Sequence, residues 1–278
     1  MPTKRPRSKT TSKRLGKETH PAGATKCGQA VESVLKGMDL PLTMGGEPTF
    51  VPLLPEGAEW ATEALGPQKL GYARRLAHQL MKDFFPGSVV LETTGKLFPG
   101  EALPRWTVLM QRRSDGQPLW KNPRLLRTEA KPGNHSLTDM RKVMQALAKA
   151  LKLDRRNIMR LHAQGKPRTT LGYVLPVDHD EKNWCSDNWR EDFSEGIVPL
   201  FPGEGYAGLR LPLGQLGADR LRRAITVELR EGCVTLFIPP LMTEAYLQML
   251  VEIETVLAAL SLQGCILAGY APPPDPEL

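Results

Sequence analysis

AITVELREGCVTLFIP, residues 224–239, is the stretch that decides the fold. Apolar and polar residues alternate along Ala224–Arg230 and again along Cys233–Pro239, a pattern typical of strands with one buried face. Glu231 and Gly232 lie between the two runs, and a two-residue connection that contains glycine favours a tight β-hairpin turn. The stretch therefore predicts two antiparallel strands joined by this turn.

Elements on both sides of the hairpin extend this pattern. Apolar residues at three- and four-residue spacing predict three helices, at Pro67–Phe84, Ser136–Leu151 and about Thr243–Leu262. We expect Thr243 to be the N-cap of the last helix and Gly264 to follow its end. Further strands are predicted at Leu40–Met44, Ser88–Glu92, Arg105–Gln111, Leu171–Val177, Ile197–Phe201, Tyr206–Leu211 and Cys265–Ala268. Antiparallel pairs mixed with single helices favour an α+β fold, with a mixed, mainly antiparallel sheet and three or more packed helices.

Positive charge is concentrated at the start of the chain. The net charge is +7, and residues 1–26 contain eight Lys or Arg and one acid, so the remaining chain balances at 29 basic and 29 acidic residues. We predict that residues 1–30 form a disordered basic tail and that residues 31–278 fold as one domain. Such a tail could contact an acidic partner or nucleic acid, whereas the charge of the body gives no reason to expect nucleic-acid binding.

Several protein classes are disfavoured by the sequence. No apolar run approaches the ~20 residues that cross a bilayer, and the N-terminus has no apolar secretory stretch, so we predict a cytoplasmic protein without membrane contact. The four cysteines are far apart in the sequence, which favours reduced thiols over a zinc site. The sequence also lacks a phosphate-binding loop, a nucleophile elbow and a His-Glu-x-x-His zinc helix.

Two loops carry the strongest candidates for chemistry. In MGGEPTF (44–50), Glu47 at the end of a predicted strand could bind Mg²⁺, which prefers oxygen ligands, or could be a solvated residue of a tight turn. In TGKLFPGEALPRW (94–106), Lys96 and Arg105 can face phosphate or carboxylate oxygens. Glu101 in the same segment can act as a base or a metal ligand. The alternative is a surface loop without a functional role.

Two other sites are open to more than one interpretation. Asp178-His179-Asp180 together with Cys185 could bind a metal or form a nucleophile pair, or could belong to a polar loop held by tryptophans. Arg210 stands in an otherwise apolar predicted strand, where a charge needs a partner. That partner is either an internal ion pair or a bound anion.

Eight stretches together resemble a single family, in the family's order and across about residues 37–278. They are LTMGGEPTFV (42–51), EW-x2-EALGPQK (59–69), GKLFPGEALPRW (95–106), DGQPLW (115–120), GYVLPVDHD (172–180), PGEGYAGLRLPL (202–213), VTLFIPPL (234–241) and GYAPPPDPEL (269–278). The family is the amidoligase domain of large bacterial proteins that also carry an upstream transglutaminase-like domain. The chain resembles the N-terminal portion of that domain.

This resemblance implies a glutamine-synthetase-like fold and an ATP- and Mg²⁺-dependent ligase that joins a carboxylate to an amine through an acyl phosphate. It implies that Glu47 is a metal ligand, that Lys96 and Arg210 contact the nucleotide or acyl phosphate, and that Glu101 and Arg105 are catalytic. A metal ion with Arg or Lys clamps suits this chemistry, because phosphoryl transfer depends chiefly on positioning and charge neutralisation.

The chain departs from the family pattern in three respects. A basic tail stands in place of the upstream domain, Ala268 occupies a position that is commonly acidic, and the family's sequence continues past the point that corresponds to Leu278. Three hypotheses follow from these departures. The chain is half of a split enzyme completed by a second polypeptide, a non-catalytic relic or regulatory subunit, or a nucleic-acid binder that acts through its tail.

The first two hypotheses make different structural predictions. A split enzyme predicts an exposed apolar sheet edge near Cys265–Ala268, where a partner chain would add its strands. A relic predicts a closed body in which Glu47, Lys96 and Glu101 lie apart from one another.

Overall fold

The computed structural model describes residues 58–60, 66–100, 105–127, 133–164, 166–193 and 196–278, together with the single residues Ala30, Ser33, Val34 and Gly37. One compact unit spans Glu56–Leu278, and the description below concerns that unit. The predicted basic tail and the predicted strand Leu40–Met44 lie outside the described residues.

Ten strands and three α-helices make up the described part of this unit. The strands are β1 (Val89–Thr94), β2 (Trp106–Gln111), β3 (Met159–Ala163), β4 (Lys166–Pro176), β5 (Asp178–His179), β6 (Trp184–Cys185), β7 (Ile197–Leu200), β8 (Ala224–Arg230), β9 (Cys233–Ile238) and β10 (Ile266–Gly269). The helices are α1 (Pro67–Asp83), α2 (Leu137–Ala150) and α3 (Thr243–Ala259). The predicted α+β class is confirmed.

Eight of the strands form one mixed sheet in the order β2-β1-β10-β9-β8-β4-β3-β7. The pairs β1–β10, β10–β9 and β3–β7 are parallel, and the other neighbours are antiparallel. β5 and β6 form a separate two-stranded sheet. No helix in the part of the chain that the structure describes has both the length and the apolar content to cross a membrane.

The predicted hairpin is present as β8 and β9. Thr226 pairs with Phe237 and Glu228 with Thr235, so these four side chains share one face of the sheet. Glu231 and Gly232 form the turn with φ of 50° and 73°. Two consecutive positive φ angles match the right-handed twist of the strands they connect, which explains the glycine.

The helices begin at recognisable signals. Ser136 and Asp139 form a reciprocal capping box at the start of α2. Before α1, the Glu59 carboxylate accepts hydrogen bonds from the backbone N–H groups of Gln68 and Lys69 and so satisfies two donors of the first turn. The N-cap of α3 is Met242, and the predicted N-cap Thr243 is instead the first helical residue. No side chain caps that end, so packing of α3 fixes its start.

One face of the sheet is covered by α2 and α3 and is entirely apolar at its centre. The main hydrophobic core lies here, and it includes Leu91, Leu147, Val227, Leu236 and Leu267. The opposite face, called the polar face below, is covered at one end by α1. At its other end lies a second core that contains Trp189. Buried polar side chains lie between these two ends.

Two predictions about strands need correction. Tyr206–Leu211 is not a strand, because Ala207–Arg210 forms a 3-10 helix that packs on the polar face. A Cβ on Gly208 would lie 2.0 Å from the Phe237 ring, so the glycine permits this close packing. The exposed edge near Cys265–Ala268 that the split-enzyme hypothesis predicts is not present. β10 pairs with a strand on each side and is buried along its whole length, and the edge strands described are β2 and β7.

Candidate functional site

Buried polar side chains lie across the middle of the polar face. The strand register places Glu92 beside Ala268, Ala268 beside Phe237, and Phe237 beside Thr226. One step further along the strands, Thr235 pairs with Glu228. Glu92, Thr226, Thr235 and Glu228 are all buried. We call these four residues the polar row. On the opposite face of the sheet, the same strands contribute apolar residues instead.

Glu92 is held by a buried arginine from α1. Arg74 Nε donates to Glu92 Oε1 at 2.6 Å, and Nη2 donates to Oε2 at 3.0 Å, which is a bidentate ion pair. The Tyr206 hydroxyl donates a hydrogen bond to Glu92 Oε2. Burial, together with the charge of Glu92, raises the pKa of Tyr206 far above its usual value, so the phenol keeps its proton.

Glu231 extends this network from the hairpin turn. Its carboxylate accepts from Arg127 Nη1 at 2.7 Å and lies 3.4 Å from Arg74 Nη1. Burial acts to raise the pKa of Glu231, but the Arg127 hydrogen bond and the charges of both arginines outweigh it and lower the pKa. Two arginines and two glutamates therefore balance one another at the end of the polar face near the turn.

The carboxylate of Glu228 has weaker polar contacts than that of Glu92. It accepts a hydrogen bond from the Ala207 backbone N–H at 2.8 Å, and Arg230 lies 3.9 Å away. Burial raises the pKa of Glu228, and neither the N–H nor the nearby positive charges of Arg230 and Arg210 cancel that effect. Of the two buried carboxylates in the strands of this face, Glu92 has a bidentate cation partner and Glu228 does not.

An open cleft of about 990 Å³ adjoins the network, a size that suits a small-molecule ligand. It lies at the N-terminal ends of β1, β9 and β10. Its ionisable side chains are Arg75, His78, Lys82, Lys121, Arg124, Arg127, His135 and Cys233. None of the lining residues that the structure describes is acidic. We call this feature the basic cleft.

Two lining side chains of the basic cleft are deeply buried. Arg127 is 6% exposed and His78 is 8% exposed, whereas Arg75, Lys82, Lys121 and Arg124 are exposed. Within the described part of the chain, those four exposed cations form no ion pair with a carboxylate. The cleft therefore combines a buried arginine in its wall with exposed cations at its rim, which is an arrangement suited to phosphate oxygens.

Lys96 and Arg105 lie together but far from the basic cleft. The Arg105 N–H donates to the Lys96 carbonyl at 3.0 Å, and the Arg105 guanidinium stacks on the Phe98 ring at 4.0 Å. Both follow the far end of β1, whose six residues separate them from the cleft by roughly 20 Å. Glu47 and Glu101 lie outside the described residues.

Arg210 is not part of the basic cleft either. Its Nε donates to the Phe201 carbonyl at 2.8 Å, and the predicted internal salt bridge is absent among the described residues. In the described part of the chain, no hydrogen bond or ion pair links Arg210 to Lys96 or Arg105. The structure therefore does not bring the three predicted cations together.

The Asp178-His179-Asp180 segment begins with strand β5, which pairs with β6 in the small sheet. Asp178 pairs with Arg223 at 2.5 Å, and the His179 ring packs edge-on against Trp184. Burial, with the charges of the two aspartates, raises the pKa of Cys185, so its thiol is less acidic than usual. The raised pKa of Cys185 gives no support to the nucleophile interpretation. Among the described residues, no three His, Cys, Asp or Glu side chains converge to hold a metal ion.

Sequence reasoning missed the residues that form this site. One signal was available in α1, where Arg74, Ala77, His78 and Met81 recur at three- and four-residue spacing and are all buried. A charged residue on an otherwise buried helical face implies a partner. Its partners could not be inferred, because Glu231 is 157 residues away in sequence.

Comparison with known proteins gives one match. A family model described as "Putative amidoligase enzyme (DUF2126)" matches residues 17–165 and 217–278. No curated protein and no solved structure matches the chain. The matched ranges include Arg74, Glu92, Arg127 and Glu231. Tyr206 and Arg210 lie between the ranges, as do two of the stretches on which the resemblance was based, 172–180 and 202–213.

Proposed function

The chain belongs to the amidoligase family, and we propose that it takes part in the ATP-dependent joining of a carboxylate to an amine. In this proposal the basic cleft holds the phosphate groups of the reactants. The observation that carries it is the lining of the cleft, in which no described ionisable side chain is acidic. A transferred phosphoryl group carries negative charge throughout the reaction, so a site that holds it must supply cations.

The buried and the exposed cations of the cleft would bind phosphate oxygens in different ways. Arg127 is held in the wall of the cleft by burial and by its ion pair with Glu231, so the positive charge of its guanidinium has a fixed position relative to a bound phosphate. Lys121 and Arg124 at the rim can neutralise further phosphate oxygens without a fixed geometry. ATP supplies the phosphoryl group that converts the carboxylate into an acyl phosphate, which an amine can then attack.

The described residues do not fit a magnesium site. Glu92 shares both of its oxygens with Arg74, and its neighbour on the same face is Ala268, which has no ligating atom. We propose that the carboxylates that bind the metal ion at this cleft come from a second polypeptide, and Glu47 and Glu101 stay predictions from the sequence that lie outside the described residues. The carbonyl and carboxylate groups that Mg²⁺ requires would then meet the phosphates from the open side of the cleft.

A second candidate function is a binding subunit without catalytic activity. It is favoured by the Arg74–Glu92–Tyr206 contacts, which occupy the carboxylate of Glu92 with protein partners. Both candidates require nucleotide binding in the basic cleft. They differ in whether ATP is consumed once the missing groups are supplied.

Nucleotide binding tests what the two candidates share. ATP should bind to the full chain, and Lys121→Ala/Arg124→Ala should weaken it by about tenfold, equivalent to about 1.4 kcal/mol. Lys149→Ala/Arg160→Ala is the matched control, because it removes one exposed lysine and one exposed arginine that do not line the cleft. Calorimetric titration gives both affinities. Equal losses in the two variants would contradict a specific site in the cleft.

Turnover then separates the two candidates. The protein is co-purified from its native cells, and ATP hydrolysis is measured with the chain alone and with any captured protein. We expect turnover only in the mixture. ATP binding without turnover in either sample would favour the binding subunit, and turnover by the chain alone would exclude the need for a second polypeptide.

A further inference from the structure

Glu231, in the turn between β8 and β9, links the basic cleft to the polar face. Its carboxylate accepts a hydrogen bond from Arg127 Nη1 at 2.7 Å, and Arg127 lines the cleft. Both oxygens of the same carboxylate lie 3.4 Å from Arg74 Nη1, and Arg74 binds Glu92 on the polar face. Glu231 itself does not line the cleft. Arg127 therefore contacts both a carboxylate of the protein and the space in which a phosphate would bind.

The backbone of the turn holds Glu231 in an unusual conformation. Its φ is 50°, in the left-handed region that favours glycine, asparagine and aspartate over longer side chains. The turn also packs closely on the cleft wall, because the Glu231 carbonyl accepts the Gly133 N–H at 2.8 Å and Gly133 lines the cleft. Glutamate is thus a costly residue for this backbone, and its long side chain is what reaches Arg127. A residue kept in a disfavoured conformation points to a functional role.

The charge of Glu231 acts chiefly on Arg127. Burial acts to raise the pKa of Glu231, but the Arg127 hydrogen bond and the two arginine charges outweigh it, so the carboxylate is ionised at pH 7. An ionised carboxylate in contact with a guanidinium cancels much of the attraction that the guanidinium exerts on a nearby anion. Arg74 depends less on Glu231, since Glu92 accepts from its Nε and Nη2. A phosphate in the cleft therefore meets an arginine that Glu231 already partly neutralises.

We propose that Glu231 is a positioning residue for Arg127 and that it also limits how tightly the basic cleft holds phosphate. Its hydrogen bond keeps the guanidinium in the cleft wall, and its negative charge opposes the negative charge of the ligand. A weaker hold on phosphate favours release of the products after each turnover. This inference rests on the proposed function, because it concerns the phosphate groups that the cleft would bind.

Glu231→Gln separates the charge from the hydrogen bond. The amide oxygen can still accept from Arg127 Nη1, whereas the negative charge is lost. We expect the urea midpoint to fall, because the buried Arg127 loses the charge of Glu231. ATP affinity should rise about tenfold in calorimetric titration, because the ligand no longer competes with that charge. Loss of a residue with only a structural role would lower both quantities, so an unchanged or lower ATP affinity would overturn the proposal.

Glu181→Gln is the matched control. Glu181 is also an exposed glutamate with a positive φ, 71°, and it lies in the turn between β5 and β6 without lining the cleft. The same loss of one negative charge at this position should change ATP affinity by less than about twofold. Equal rises in the two glutamine variants would show that net charge alone sets the affinity, and would overturn the role of Glu231.

The effect of Glu231 should depend on Arg127. In an Arg127→Gln background, the further change Glu231→Gln should raise ATP affinity by less than about threefold, because the guanidinium that Glu231 neutralises is absent. Calorimetric titration of the two single variants and the double variant measures this coupling. A full tenfold rise in the Arg127→Gln background would show that Glu231 acts on the ligand directly, and would contradict an effect through Arg127.

Glu231→Asn keeps the test decisive if Glu231→Gln does not fold. Asn-Gly is strongly favoured in this kind of turn, and the change also removes the negative charge. ATP affinity should rise by at least about threefold, less than in Glu231→Gln because the shorter amide does not hold Arg127. Absence of ATP binding to the unaltered chain would refute the proposed function. ATP binding that neither variant strengthens would refute only this inference.

Discussion

The two faces of the sheet are built from the same strands and differ in what they bury. Beneath α2 and α3, Leu91, Leu236 and Leu267 form a continuous apolar core. On the polar face, the neighbouring positions Glu92, Thr235 and Ala268 are equally inaccessible to solvent, yet they include a charge and a hydroxyl. Since burial of a charge costs free energy unless it is paired, the apolar face stabilises the fold and the polar face limits that stability. The difference points to the polar face as the functional one.

Breaking the buried Arg74–Glu92 ion pair should cause the largest change in the free energy of unfolding. Glu92→Leu leaves Arg74 buried without its carboxylate, and we expect a loss of about 4 kcal/mol in the free energy of unfolding. Adding Arg74→Met to this variant should recover most of the loss, because no charge is then left unpaired. Urea denaturation of the two single variants and the double variant measures the coupling. A double variant no more stable than Glu92→Leu would show that the pair stabilises the fold on balance.

A cavity in the apolar face should have the next largest effect. Leu147 of α2 is completely buried, and Leu147→Ala should lower the free energy of unfolding by about 3 kcal/mol. ATP affinity should be unchanged, since Leu147 packs on the face opposite the basic cleft. Denaturation and calorimetric titration provide the two measurements. A parallel loss of ATP affinity in the folded variant would contradict the functional separation of the faces.

Replacing Glu228 should cause the smallest change in the free energy of unfolding, and this change should stabilise the protein. Because its pKa is raised in the folded protein, stability is lost as the pH rises from its ordinary value of 4.5 through the folded pKa. Glu228→Gln removes this loss and should stabilise the protein at pH 7, by less than about 1.5 kcal/mol. The gain should vanish at pH 3, where Glu228 is protonated in both states. Denaturation at the two pH values tests this, and an equal effect at both would rule out titration as the cause.

The sequence predicts the elements of this fold better than their contacts. Alternation and a glycine turn identify β8 and β9, and helical spacing identifies α1, α2 and α3, because both signals depend on neighbours in sequence. Tyr206 was assigned to a strand because Gly208 and Pro212 do not reveal that this segment packs on Phe237. Its bond to Glu92 joins residues 114 positions apart, which no local pattern encodes.

The predicted site illustrates the same limit. The sequence predicts Lys96 and Arg105 as phosphate contacts because their side chains can face phosphate or carboxylate oxygens and because the resembled family implies that role. The structure instead places the cations of the cleft on α1 and on the segment 121–127, where no motif marks them. Arg127 becomes a candidate only once its burial and its contact with Glu231 are known.

The hairpin at residues 224–238 also bears on the order in which the chain folds. Its strands are joined by two residues, so they can pair within about 1–10 μs of the start of folding. Glu92 and Ala268 are 176 positions apart in the sequence. Pairing of their strands closes a long loop, and closing that loop costs conformational entropy. The polar row is therefore completed late in folding, after the hairpin that supplies Thr226, Thr235 and Glu228 has already formed.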